Sequence, residues 1–139
     1  MKIRTWNKND YISVLYIAKQ FHESTPNQDV FDELVWNKGI FLAEEQWNII
    51  GFISYKLLWN DTVILQFLRV DQAHHRKGIA SLLIKHIESI ATEKWYYALM
   101  STILEDNIPS KQLHEKLWFV EDGYIGFKSG KEKIFLKYI

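Results

Sequence analysis

The chain is defined first by what it lacks, beginning with cysteine. None of its 139 residues is a cysteine, which excludes disulfides, thiolate metal ligands and cysteine nucleophiles. Its 17 basic and 17 acidic residues leave no formal net charge, so the basic excess typical of nucleic-acid-binding proteins is missing. No apolar run approaches the roughly 20 residues that span a bilayer, and no signal-like segment follows Met1. We therefore expect a cytoplasmic protein with no nucleic-acid or membrane partner.

The residues that are present describe a folded chain. Hydrophobic residues make up 47% of the sequence, and this fraction is typical of a globular protein with a core. Its length predicts one domain over residues 1–139. Alternating and continuous apolar runs predict strands at Lys2–Trp6, Ile40–Glu44, Ile49–Leu58, Thr62–Val70, Tyr97–Leu104, Phe119–Phe127 and Lys131–Tyr138. Helical spacing predicts helices at Asp10–Phe21, Asp29–Trp36, Lys77–Lys94 and from an N-cap at Asn107 to about Leu117. The fold class is therefore α+β.

One strand-to-helix junction carries most of the functional information. The buried strand ends at Val70, a short polar turn follows, and a helix opens at Gly78. A helix N-terminus presents backbone N–H groups without intrahelical partners, and Arg76 and Lys77 add positive charge beside them. This pattern predicts a seat for a phosphate or pyrophosphate. It contains neither a Walker A string nor the three glycines of a dinucleotide fingerprint. On the local pattern alone, an ordinary solvated turn is an equally open interpretation.

Two segments together resemble a known family. The string His75–Ala80, after a strand ending in Leu68–Val70, resembles the acetyl-CoA loop of the GNAT N-acetyltransferase superfamily. That loop has Arg or Gln, two residues, Gly, one residue, then Gly or Ala. The segment from Asn107 through Ser110 to His114–Phe119 is similar to the family's Asn-x-x-Ala-x-x-x-Tyr-x-x-x-Gly-Phe block. The chain departs from both patterns, with His75 in the Arg/Gln position of the loop, and with His114 in the Tyr position and Trp118 in the Gly position of the second block.

The resemblance implies a fold, a cofactor and a set of site residues. The fold is a central, mostly antiparallel mixed sheet of about six or seven strands with about four helices, splayed near the cofactor. Acetyl-CoA would be the acyl donor, and a primary amine of a small molecule or peptide would attack it directly. A backbone N–H at Val70 would polarise the acetyl carbonyl, and His114 would be the general acid. The implied cofactor-binding residues are Leu68, Arg69, Val70, His75, Arg76, Lys77, Gly78, Ile79, Ala80, Ser81 and Asn107, and no metal is expected.

Several roles stay open at this stage. His114 could equally be a helix residue without a catalytic role. The general base could be Glu44 or Glu45 acting through a water, although a solvated turn pair explains these residues more simply. His22 is a weaker candidate for the acceptor side, and His86 fits the buried stripe of its helix. The alternative function is a non-catalytic acyl-CoA-binding module of the same fold. A homodimer is also compatible with the sequence.

Overall fold

The structure is a computed structural model, and it describes residues 1–20, 39–127 and 130–139. Its strands are β1 (Lys2–Thr5), β2 (Ile40–Glu45), β3 (Asn48–Leu58), β4 (Thr62–Val70), β5 (Ala98–Leu104), β6 (Val120–Phe127) and β7 (Gly130–Tyr138). The α-helices within these ranges are α1 (Tyr11–Ala18), α2 (Ile79–Glu93) and α3 (Ile108–Lys116). Short 3-10 turns cover Lys8–Asp10 and Gln72–His74. None of the helices described is long and apolar enough to cross a lipid bilayer.

The strands form a seven-stranded sheet in the order β1-β2-β3-β4-β5-β7-β6. Strands β4 and β5 are parallel, with Thr62 opposite Ala98 and Leu65 opposite Ser101. The pairs β1–β2, β2–β3, β5–β7 and β6–β7 are antiparallel. A mixed, mostly antiparallel sheet accompanied by helices confirms the α+β class and the predicted strand number.

The chain divides into two compact units, and the first comprises Met1–Lys56 and Phe67–Ile87. Its core forms because α1 carries apolar residues at helical spacing. The buried cluster contains Val14, Ile17 and Ala18 of α1, Ile40 and Leu42 of β2, and Phe52 of β3. Burying one large aliphatic or aromatic side chain contributes about 1.5–3 kcal/mol. This packing fixes the end of α1, from which the chain continues to Gln20.

A charged cluster ties β1 to the start of α1 and to β2. The Arg4 guanidinium donates to both carboxylate oxygens of Asp10, at 2.9 and 2.8 Å, and to Glu44 Oε1 at 3.1 Å. Asp10 also accepts from the Asn7 backbone N–H at 2.9 Å. These bonds, the Arg4 bond first among them, lower the pKa of Asp10 below its ordinary value. Glu44 is therefore held in an ion pair and is not a solvated turn residue.

The second unit comprises Leu57–Gln66 and Glu88–Ile139. Strand β7 lies between β5 and β6, with Ala98 opposite Tyr138 and Val120 opposite Leu136. The register of β6 shifts between Glu121 and Tyr124, where Gly123 adopts a φ of 95°. The buried side chains of this unit include Leu99, Ile103, Leu117, Phe119 and Phe135.

Helices α2 and α3 both end on a tryptophan in the left-handed conformation. After α2, Trp95 has a φ of 60°, and the Tyr96 N–H donates to the Ala91 carbonyl at 3.0 Å. After α3, Trp118 has a φ of 71°, and the Phe119 N–H donates to the His114 carbonyl at 2.9 Å. These bonds define Schellman motifs, in which glycine is the usual residue at the left-handed position. The glycine of the family's second block is thus a helix-ending position that Trp118 occupies here.

Most sequence-based boundaries agree with the structure to within a few residues, and the differences have local causes. The helix predicted from Lys77 begins instead at Ile79, because Gly78 has a φ of 76° that an α-helix does not accept. The helix predicted from Asp10 to Phe21 starts as a 3-10 turn and ends at Ala18. The helix predicted at Asp29–Trp36 lies outside the described residues, as does His22. The predicted splay of the sheet and the single domain stay predictions.

Candidate active site

The predicted phosphate loop leaves β4 through a tightly turned path. After Val70, the 3-10 turn Gln72–His74 reverses the chain, and His75 is extended. Arg76 then adopts a left-handed φ of 65° and Gly78 a φ of 76° before α2 begins. A β-carbon on Gly78 would meet no atom of the described residues within 4 Å, so the space beside its backbone is open on the part of the chain that the structure describes. Left-handed residues of this kind occur in the backbone nests whose successive N–H groups bind anions.

The loop presents six consecutive backbone N–H groups, those of residues 76–81, as potential hydrogen-bond donors. None of them donates a hydrogen bond to any residue that the structure describes. The hydrogen bonds of helix α2 begin with the Leu82 N–H, which donates to the Gly78 carbonyl at 3.1 Å. Arg76, Lys77 and Gly78 are exposed, whereas Ile79 is buried and anchors the start of α2. The helix dipole and these N–H groups together suit an anion.

The end of β4 is held on its β3 side. The Phe67 N–H donates to the buried Ser54 Oγ at 3.1 Å, and the Asp71 N–H donates to the Ile50 carbonyl at 2.8 Å. Because successive peptide groups of a strand point to opposite edges, the N–H groups of Leu68 and Val70 point away from β3. The resemblance assigns the Val70 N–H to the acetyl oxygen and counts Leu68 among the cofactor-binding residues, and both roles stay predictions.

Close packing of β3 against β4 explains why a glycine stands at position 51. A β-carbon on Gly51 would lie 3.1 Å from the Arg69 carbonyl oxygen and 3.4 Å from Ile79 Cγ2. Arg69 itself is half-buried, and its guanidinium Nη1 donates to the Leu68 carbonyl at 2.9 Å. The backbone of β4 therefore has little room to move toward β3 at this point.

A polar network joins Gln20, Asp71 and His74 after β4, and the sequence analysis did not predict it. The Asp71 carboxylate accepts from Gln20 Nε2 at 2.9 Å and lies 3.2 Å from His74 Nδ1. His74 Nε2 lies 4.0 Å from Glu45 Oε2. The hydrogen bond from Gln20, and next to it that from His74, lower the pKa of Asp71 below its ordinary value. Gln20 and Asp71 are 51 residues apart, so no local pattern could have joined them.

His75 uses its side chain inside the loop. Its Nε2 lies 2.8 Å from the Val70 carbonyl oxygen, which can only accept, so Nε2 carries the proton. The family's Arg or Gln is thus replaced by an imidazole that closes the turn between β4 and the row of N–H groups. The His75 backbone N–H donates to the Gln72 carbonyl at 3.3 Å, so the row of N–H groups without an acceptor begins only after this residue.

Asn107 begins α3 as predicted. Its side-chain oxygen accepts from the Ser110 N–H at 3.3 Å, and Pro109 lies in the first turn. The N-cap role is therefore confirmed. The contact with the cofactor's pantetheine arm, or with a water beside it, that the resemblance implies for this exposed residue stays a prediction.

His114 is a core residue, with 2% of its surface exposed. Its Nδ1 donates to the Ser110 carbonyl at 2.7 Å. Its ring centroid lies 4.9 Å from that of Phe119 and 5.8 Å from that of Phe135. Its Nε2 is buried and has no hydrogen-bond partner among the described residues. Burial lowers the pKa of this imidazole below its ordinary value, which favours the neutral form. The contact with Phe119 is the apolar contact that accompanies a Schellman motif.

The other titratable candidates have defined surroundings. Glu44 pairs with Arg4, while Glu45 is exposed beside His74. His86 is half-buried, as its place in the helical stripe predicts, with its ring centroid 4.6 Å from that of Phe41 in an edge-on arrangement, and burial lowers its pKa. No cluster of three or more metal-binding side chains occurs in the described part of the chain. The predicted site residues 68–81 lie in the first unit, and Asn107 and His114 lie in the second.

Comparison with known proteins defines the class. Residues 2–119 match the acetyltransferase (GNAT) family, and the chain therefore belongs to that family. No curated protein sequence matches the chain significantly.

Solved structures of similar fold cover nearly the whole chain. Ard1 from Thermoplasma volcanium has a TM-score of 0.91 at 19% identity, covering 99% of this chain and 97% of that one. The N-acetyltransferase from Staphylococcus aureus Mu50 has a TM-score of 0.80 at 24% identity, covering 99% and 97%. Arabidopsis thaliana Naa50, solved with the bisubstrate analogue CoA-Ac-MVNAL, has a TM-score of 0.86 at 13% identity, covering 99% and 98%. At these identities, the likeness shows the fold.

Proposed function

We propose that the protein is an acetyl-CoA-dependent N-acetyltransferase that acts on a primary amine of a small molecule or peptide by direct attack. The observation that carries this proposal is the row of N–H groups at residues 76–81, which have no acceptor among the described residues. Membership of the GNAT family supports the reaction class. The Naa50 complex with a bisubstrate analogue that combines CoA, an acetyl group and a peptide supports the choice of donor.

The loop suits the pyrophosphate of CoA because it binds through the backbone. Phosphate oxygens accept from N–H groups at a helix N-terminus, where the dipole also favours negative charge. Gly78 leaves open space beside the chain, and the exposed Arg76 and Lys77 add positive charge at the same place. A side chain at position 75 contributes little to such a seat. The replacement of the family's Arg or Gln by His75 is therefore compatible with cofactor binding.

Strand β4 supplies the rest of the proposed chemistry. When bound, acetyl-CoA supplies the acetyl group and a thiolate leaving group. The Leu68 N–H would pair with the pantetheine arm, and the Val70 N–H would donate to the acetyl oxygen as negative charge develops there. One fixed donor of this kind contributes about 3 kcal/mol to transition-state stabilisation. The amine nitrogen bonds to the carbonyl carbon, the carbon–sulfur bond breaks, and the amine loses a proton to solvent or to a base.

The general-acid role of His114 stays a prediction, and its geometry weighs against it, because Nδ1 is committed to the Ser110 carbonyl and Nε2 is buried. A CoA thiolate leaves without an acid more readily than most groups, since an ordinary thiol has a pKa of about 8.5. The same burial favours the second candidate function, a non-catalytic acyl-CoA-binding module.

Two measurements test these functions. Isothermal titration with CoA measures binding, and CoA release from acetyl-CoA measures turnover with a panel of amines that includes peptides such as MVNAL. Binding together with amine-dependent CoA release supports the enzyme. Binding without release from any amine supports the binding module, and absence of binding contradicts both.

A matched pair of glycine variants locates the binding. Gly78 and Gly123 both have left-handed φ values, 76° and 95°, and a β-carbon on either would meet no atom within 4 Å in residues 1–20, 39–127 and 130–139. Alanine at each position therefore carries a similar conformational cost of about 1 kcal/mol. Only Gly78→Ala places a methyl group beside the row of N–H groups. We expect Gly78→Ala to weaken CoA binding at least tenfold relative to Gly123→Ala, and equal affinities would contradict the loop assignment.

A further inference from the structure

We propose that Gln20 is a positioning residue for the cofactor loop, an inference that rests on the proposed function. Its side-chain amide makes two hydrogen bonds to adjacent residues of the loop. Nε2 donates to Asp71 Oδ1 at 2.9 Å, and Oε1 accepts from the Gln72 N–H at 2.9 Å. One amide thus holds both a side chain and the backbone of the turn that follows β4.

The two bonds fix the orientation of the amide. The Gln72 N–H can only donate and therefore needs the amide oxygen, while the ionised Asp71 carboxylate can only accept and needs the NH₂ group. No other side chain satisfies both partners at this length and geometry. Alanine loses both bonds, methionine keeps the shape without them, and glutamate loses the donor and places a second carboxylate beside Asp71.

Gln20 is itself held on a rigid support. Its backbone N–H donates to the Ile17 carbonyl at 3.1 Å, directly after the last turn of α1. That turn is fixed by the buried Ile17 and Ala18, which belong to the core cluster of the first unit. The amide therefore transmits the position of a packed helix to the loop, because neither end of the contact is free to move far.

The turn that Gln20 holds leads directly into the row of N–H groups. Asp71 is also fixed by its N–H bond to the Ile50 carbonyl and by His74, and His75 closes the turn onto the Val70 carbonyl. Residues 71–75 are thus tied, whereas the N–H groups of residues 76–81 make no bond within the described chain. The first half of the loop is anchored by these bonds, and the second half presents its N–H groups to a ligand. A ligand that binds through six backbone groups gains affinity when their directions are set in advance.

A positioning role for Gln20 predicts a specific kinetic pattern in variants at this position. Loss of the two bonds in Gln20→Ala or Gln20→Met should raise the Kd for CoA and the KM for acetyl-CoA about tenfold, the scale of one to two net hydrogen bonds. The kcat and the KM for the amine should change less than about twofold, since the two side-chain bonds of Gln20 hold the turn after β4 and not the proposed donor at Val70. Lys19→Ala is the matched control, because Lys19 is the exposed neighbour in the same turn.

The experiment combines isothermal titration with CoA, steady-state kinetics and hydrogen exchange of the unliganded protein. We expect faster exchange over residues 71–76 in both Gln20 variants and not in Lys19→Ala. Wild-type affinity in both Gln20→Ala and Gln20→Met would overturn the inference while leaving the proposed function intact. Failure of the wild-type protein to bind CoA would overturn the proposed function and the inference together. A drop in kcat without a change in KM would also contradict a positioning role.

Discussion

The His114→Leu variant separates two roles for His114 that predict opposite results. The imidazole donates through Nδ1 to the Ser110 carbonyl, and its unprotonated Nε2 is buried. A core residue of this kind contributes packing and one hydrogen bond. A general acid contributes a proton at the moment the thiolate leaves. Leucine keeps an apolar side chain in the same space and removes the proton chemistry entirely.

The stability terms for this substitution nearly cancel. The unpaired Nε2 costs about 1–3 kcal/mol in the wild-type protein, and leucine removes that cost. Against this, the Nδ1 bond contributes about 0.5–1.5 kcal/mol, and the ring contacts with Phe119 and Phe135 contribute a similar amount. The Ser110 carbonyl keeps its α-helical partner, the His114 backbone N–H. We therefore expect the free energy of unfolding to change by less than about 1.5 kcal/mol.

The pH dependence of stability gives an independent readout. Burial lowers the pKa of His114 in the folded state, so the unfolded chain binds a proton first as the pH falls. The stability associated with the neutral imidazole is complete above the ordinary histidine pKa of about 6.5 and is lost as the pH falls from there toward the folded-state pKa. The loss is at most about 1.4 kcal/mol per pH unit. The leucine variant should lack this slope.

Urea unfolding between pH 7.5 and 5, together with CoA-release kinetics, measures both effects. His86→Leu is the control, since burial also lowers the pKa of His86 and the resemblance gives it no catalytic role. We expect kcat within about threefold of wild type for both variants, whereas loss of a general acid costs about 10²–10⁴ in rate. A hundredfold drop in kcat for His114→Leu, with unchanged stability, would refute the structural account and establish the acid.

Three further substitutions test the fold around the site. Trp118→Gly should stabilise the protein by about 1 kcal/mol, because glycine adopts the φ of 71° without strain, and a lower melting temperature would contradict the Schellman assignment. Arg4→Ala should lower the free energy of unfolding by about 2 kcal/mol at pH 7, and this loss should shrink below pH 4 as Asp10 becomes protonated. If the loss stays constant on acid titration, the ion pair contributes nothing to stability. Gly51→Val should destabilise by more than about 2 kcal/mol and weaken CoA binding, since its side chain would meet the Arg69 carbonyl; wild-type melting and affinity would contradict that close approach.

Features with a local cause could be predicted from the sequence. The strand Thr62–Val70 is found over the predicted range because a short apolar run rich in β-branched residues favours a buried strand. Asn107 caps α3 because an N-cap depends on a side chain and a backbone N–H only a few residues away. The predicted strands Ile40–Glu44 and Ile49–Leu58 leave only four residues between them, and Gln46 and Trp47 adopt the left-handed φ values, 48° and 71°, of a tight hairpin turn.

Features that depend on distant residues could not be predicted. The contact of Gln20 with Asp71 and that of Arg4 with Glu44 join residues 51 and 40 positions apart, and only the packing of α1 and β1 brings them together. The burial of His114 has a different reason. Its position relative to the helix end decides which face it occupies, and the glycine that normally marks that end is absent, since Trp118 replaces it. Without a glycine to mark the end of α3, the sequence could not assign His114 to the core.

The departures from the family pattern share one property, which bears on how this chain can keep its function. His75 and Trp118 replace residues of very different chemistry, yet each keeps the backbone geometry of its position. His75 even strengthens it, because its Nε2 binds the Val70 carbonyl. A site that recognises phosphate through backbone N–H groups depends on the φ of Gly78 and on the anchors of the turn more than on the side chains around it. Binding of CoA should then tolerate substitution at Arg76 or Lys77 better than at Gly78 or Gln20, even though the two cations are the more conspicuous residues of the sequence.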